Sequence, residues 1–102
     1  MKNSLNPRDE EELSGNLVNW NIIRNKDHKL NKSVKTQTYL EAVCALNEIA
    51  QLAQKEKYFP DILLSANKLI IELSAHSSGS LSEKDFIMAA RIDEILEKLN
   101  LL

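Results

Sequence analysis

Hydrophobic positions recur along this chain at spacings of three and four, the period of a helix that buries one side. Leu13, Leu17 and Trp20 follow one another in this way. Before them, in Asn6-Pro7-Arg8-Asp9-Glu10-Glu11-Glu12, an asparagine can cap, a proline suits the first helical position and the acids favour the positive dipole end. A first helix is therefore expected over residues 7–23, after a disordered start at 1–6. Thr38-Tyr39-Leu40-Glu41 has the spacing of a capping box, and from there to about Lys57 the residues Ala42, Val43, Leu46, Ile49, Ala50 and Ala53 share half a helical wheel. Leu40 and Cys44 fall on the polar side of this second helix.

Tyr58-Phe59-Pro60-Asp61 reads as a break and a restart. A third helix is expected to about His76, with a main stripe of Ile62, Ala66, Leu69, Ile70 and Leu73 and a second strip of Leu64, Ile71 and Ala75 about half a turn away. After the turn Ser77-Ser78-Gly79-Ser80, the segment Leu81-Ser82-Glu83-Lys84-Asp85-Phe86 supplies a cap at Ser82, an acid at the third helical position and a Leu81–Phe86 staple. A fourth helix then carries Met88, Ala89, Ile92, Ile95, Leu96 and Leu99 on one arc. These elements imply an all-α fold: one helical domain over 1–102, a small antiparallel up-down bundle of three to four helices. Its parts are helix one, a basic linker at 24–35 and a three-helix core at 36–102. The scarcity of turn residues, two glycines and two prolines in 102 residues, points the same way.

Charge changes the picture only locally. The net charge of −2 excludes a generally basic nucleic-acid binder, yet Arg24, Lys26, Lys29, Lys32 and Lys35 stand against Asp27 alone within the linker. That segment is a candidate anion-binding surface, and a nucleic-acid-associated regulator using it is the alternative function. It holds no aromatic residue interleaved with the lysines and no reading helix, so a solvated connection is the plainer expectation and nucleic acid a poor partner.

Catalytic chemistry is not expected. The two glycines lie far apart, so no phosphate cradle can form from them, and His28, Cys44 and His76 are scattered, so no metal or cofactor site is foreseen. Cys44 falls mid-helix, where nothing lowers a thiol pKa, and the carboxylates at 9–12, 93, 94 and 97 fit helix ends and solvated faces. Asn31-Lys32-Ser33 matches a glycosylation sequon by chance, because the amino-terminal residues lack the apolar run of an export signal. With a single cysteine and no apolar run approaching bilayer length, a cytoplasmic protein with no membrane span is expected.

The remaining surfaces are the side strips Leu40/Cys44 and Leu64/Ile71; the plainer expectation is that another helix of the bundle covers them, above all at Ile71, and the alternative is a seam for a partner helix or for a second copy in a homodimer, above all at Leu40 and Cys44. The function expected is thus a non-enzymatic, small cytosolic helical module for protein–protein interaction. In size, low glycine content and layout it resembles small bacterial accessory proteins such as immunity proteins, antitoxins and secretion chaperones, a likeness of architecture only.

Overall fold

The computed structural model describes residues 8, 20–24, 28–74 and 81–102. Their order is β1 (Asn21–Arg24), β2 (His28–Lys35), α1 (Tyr39–Glu56), β3 (Asp61–Ser65), β4 (Lys68–Ser74) and α2 (Glu83–Lys98). The four strands form one antiparallel sheet in the order β1-β2-β4-β3, with both helices packed on one face. The fold is therefore α+β, and the all-α bundle expected above is corrected.

The two helices form where capping chemistry places them. Thr38 accepts a hydrogen bond from the Glu41 amide at 3.1 Å, Glu41 reaches back to the Gln37 amide at 2.8 Å, and α1 buries Ala42, Ala45, Ile49 and Ala53. α2 starts after Ser82 and buries Phe86, Met88, Ala89, Ile92 and Leu96.

The third expected helix is the β3–β4 hairpin. Alternate residues face the helices: Ile62 and Leu64 on β3, and Leu69, Ile71 and Leu73 on β4, the last three fully buried. What looked like two apolar helical strips is the two-residue period of paired strands, partly filled in by Leu63 and Ile70 on the opposite face. Two features hid the turn. It carries no glycine or proline, and Ala66 itself adopts the left-handed region at φ 54°. The turn is held from β2: the Thr36 amide donates to the Asn67 carbonyl at 2.8 Å, and the Asn67 side-chain amide donates to the Thr36 carbonyl at 2.8 Å.

The basic linker is likewise corrected, since residues 28–35 are strand β2, the central partner of both β1 and β4. Leu30, Lys32 and Val34 point inward and are buried, while Ser33 and Lys35 are exposed on the other face. A lysine in the inward row broke the alternation that would have marked the strand. The first expected helix cannot reach residue 23, because Asn21–Arg24 is β1; residues 9–19 of that expectation lie outside the described residues.

Candidate active site

The junction between the helices and the sheet is built by the end of α1. Lys57 takes the left-handed cap position, at φ 55° and ψ 41°, and its amide and that of Tyr58 both turn back to the Ala53 carbonyl. This reversal leads the chain through Tyr58, Phe59 and Pro60 into β3 and brings Tyr58 over the start of α2. There the Tyr58 hydroxyl donates a short hydrogen bond to Asp85 Oδ1. The second carboxylate oxygen, Oδ2, accepts from the Ser82 amide at 2.7 Å and from the Ser82 hydroxyl at 3.2 Å. Asp85 is only 1 % exposed, so this carboxylate is held in the interior by three donors.

Tyr58 is half-buried, and burial pushes its phenol pKa far above 10.0, reinforced by the hydrogen bond to Asp85 and the charges of Asp85 and Asp61, against a small opposing contribution from the Ser74 backbone. The group is a neutral phenol at any ordinary pH. It lines a cleft of about 300 Å³ together with Lys57, Phe59 and Ser74, and Phe59 presents a ring that is 61 % exposed. On the other side of Tyr58 lies a small depression among Glu56, Lys84, Ile87, Met88 and Arg91, where Arg91 pairs with Glu56 at 3.1 Å.

A second buried polar group lies beneath the sheet. Lys32, 2 % exposed, pairs with Asp93 at 3.1 Å; the indole N–H of Trp20 donates to the same Asp93 oxygen at 2.9 Å, and the ammonium sits 5.3 Å from the Trp20 ring centroid. This cluster ties β2 to α2 and opens into none of the described clefts.

Residues 3–95 match the model of the pterin 4 alpha carbinolamine dehydratase family. The chain belongs to the pterin-4α-carbinolamine dehydratase family. A protein of Alkaliphilus metalliredigens, provisionally named pterin-4-alpha-carbinolamine dehydratase, is 43 % identical over 75 residues, covering 74 % of this chain and 66 % of that one. A protein of Sulfolobus acidocaldarius with the same provisional name is 33 % identical over 90 residues, covering 85 % and 96 %. In fold the chain is similar to a crystal structure from Brucella melitensis described as a transcriptional coactivator/pterin dehydratase, with a TM-score of 0.84 at 22 % identity over 91 % of this chain and 98 % of that one. It is also similar to a pterin dehydratase-like protein described as a RuBisCO assembly factor in the alpha-carboxysome, with a TM-score of 0.67 at 24 % identity over 76 % and 89 %.

Membership in a dehydratase family overturns the expectation of a non-enzymatic helical interaction module, and with it the alternative of a nucleic-acid regulator. The expectation failed because it sought chemistry in clustered histidines and glycines. In the sequence Tyr58 shows only as part of a break and Asp85 only as a helix-start acid; the sign that could draw them together is an acid at a capping position that also has to be buried.

The residues singled out from sequence are dispersed. Leu40 is 76 % exposed on α1 and Cys44 is exposed on the same helix, whereas Leu64 is half-buried on β3 and Ile71 fully buried on β4. Leu64 and Ile71 therefore belong to the core face of the sheet and form no docking seam with the other two. Of the five cations, Arg24 stands opposite His28 in the β1–β2 pairing, Lys29 pairs with Glu72 at 3.5 Å, Lys32 is buried against Asp93, and Lys35 is exposed; Lys26 lies outside the described residues, as does His76. Among the described residues no helix is long and apolar enough to cross a membrane, and no cluster of His, Cys, Asp and Glu is gathered for a metal.

Proposed function

We propose that this chain dehydrates a pterin-4a-carbinolamine in the cleft beside Tyr58, the reading supported by family membership together with the buried Tyr58–Asp85 pair. A carbinolamine carries a hydroxyl and an amine nitrogen on one carbon. Loss of water breaks that carbon–oxygen bond, forms a carbon–nitrogen double bond from the nitrogen lone pair, and releases the nitrogen's proton. The reaction needs no redox partner. It calls for a donor at the leaving hydroxyl and an acceptor at the nitrogen.

The cleft offers both. The phenol hydrogen of Tyr58 points to Asp85, which leaves the phenol oxygen able to accept the N–H proton as its own passes to the carboxylate. Lys57 lines the same cleft, and in this proposal its ammonium supplies the proton that departs with hydroxide as water. Exchange with solvent then restores both groups. Phe59 offers an exposed face for a flat bicyclic ring. In this reading Tyr58 and Lys57 are catalytic, while Asp85 acts through Tyr58 as a positioning residue.

The test is the rate of water loss from a 4a-hydroxytetrahydropterin, followed optically with and without the purified protein. Acceleration over buffer, lost in Lys57→Met together with Tyr58→Phe, supports the assignment; a rate equal to buffer removes it.

The exposed Leu40 and Cys44 on α1 remain the proposed contact for a protein partner or a second copy, and the lone cysteine fits a reducing, cytoplasmic setting.

A further inference from the structure

On the face of the sheet turned away from the helices, Lys35 of β2 and Lys68 of β4 are direct cross-strand partners. Both are exposed, and neither side chain forms an ion pair or hydrogen bond with another of the described residues. Directly opposed residues have their Cβ atoms about 5 Å apart, a spacing at which like charges repel. The remaining basic residues described on β2 differ: Lys29 faces Glu72 and Lys32 is buried against Asp93. One strand further on, Ser65 of β3 pairs with Lys68 and is exposed as well, so the row Lys35, Lys68, Ser65 places two ammonium groups and a hydroxyl across three adjacent strands about 4.8 Å apart. Ser33, two residues before Lys35, adds an exposed hydroxyl on the same face.

The backbone beneath this row is fixed. Thr36, next to Lys35, and Asn67, next to Lys68, exchange hydrogen bonds at 2.8 Å in both directions, and the Thr36 hydroxyl adds a third to the Asn67 carbonyl at 3.2 Å. The strands are therefore held in register here. They keep the attachment points of two lysines side by side, so that both ammonium groups can converge on one anion. The row stands six residues along β4 from Ser74, about 20 Å from the cleft.

We infer that Lys35, Lys68 and Ser65 form a binding site for a terminal phosphoryl-type oxyanion, separate from the pterin cleft. A tetrahedral dianion matches two cations and has acceptor oxygens left for the hydroxyl. A nucleic-acid backbone fits less well, because the outward row two steps along the sheet carries Asp61 and a Glu72 already paired with Lys29, which leaves no net positive charge there for a polyanion lying along the strands.

The test titrates the wild-type chain and Lys68→Gln with inorganic phosphate at constant ionic strength, reading backbone amide shifts by NMR and the melting temperature. The expected result is saturable shifts confined to residues 33–36 and 65–68, with a rise in melting temperature that is absent in Lys68→Gln. Without phosphate, Lys68→Gln should melt no lower than wild type, because it removes a repulsion. Diffuse, unsaturated shifts that follow every surface lysine would overturn the site. So would tighter binding of a short single-stranded DNA than of phosphate, which would make the row part of a polyanion surface. Loss of dehydratase activity in Lys68→Gln is not expected, so the two readings fail independently.

Discussion

The Tyr58 hydroxyl is bonded to the same carboxylate, Asp85, that closes the capping box at the start of α2. One buried charge thus does two jobs: it satisfies the first turn of a helix and fixes the phenol that faces the cleft. Stability and the proposed chemistry are coupled at this point, and the coupling sets what substitution should do.

Asp85→Ala removes a helix cap and leaves a half-buried phenol without its acceptor, so a loss of about 2–4 kcal/mol is expected, against about 1–2 kcal/mol for Tyr58→Phe. Urea denaturation followed by circular dichroism gives both values. Equal losses would mean that the cap contributes nothing beyond the tyrosine bond.

Alkali should unfold the protein through Tyr58. Its folded pKa lies above the unfolded value near 10.0, so the folded state keeps a proton that the unfolded state releases, and stability present below pH 10 falls as the pH rises beyond it. The slope is about 1.4 kcal/mol per pH unit for one proton, and Tyr58→Phe should lack it. Melting temperatures of the two proteins between pH 9 and pH 11.5 check this; parallel curves would contradict it.

Breaking the Lys32–Asp93 pair from one side should be costly. Lys32→Met strands a buried carboxylate and is expected to lose about 3–5 kcal/mol, whereas adding Asp93→Asn removes the charge, keeps an acceptor for the Trp20 indole and recovers most of the loss. Trp20 is the single tryptophan, so its emission reports directly on the site.

Ile71→Asp should unfold the chain, because Ile71 is fully buried between Lys32 and Ile62 in the inward row of the sheet. Leu40→Asp, on the exposed side of α1, should change the melting temperature little. A folded Ile71→Asp variant would mean that the β4 register is wrong.

How far the sequence could be read depended on how local each signal is. The capping signals Thr38–Glu41 and Ser82–Asp85 are local in sequence, and both helices begin where they place them. The hairpin was illegible for two physical reasons: an alanine occupies the left-handed turn position, and Leu63 and Ile70 add apolar residues to the outward face; strand β2 was hidden because Lys32 interrupts its inward row. Each makes a two-residue period look like something else. The candidate site was harder still, since Tyr58 and Asp85 lie 27 positions apart and meet only after the chain reverses at Lys57.

The central claim, that the Tyr58 phenol takes part in removing water from a pterin carbinolamine, is tested most directly by comparing kcat of wild type and Tyr58→Phe below the melting transition of both. Phenylalanine keeps the ring and removes only the oxygen. A general acid–base contribution of the usual size predicts a fall of about 100-fold or more in kcat with KM little changed. A Tyr58→Phe variant that turns over as fast as wild type would contradict it.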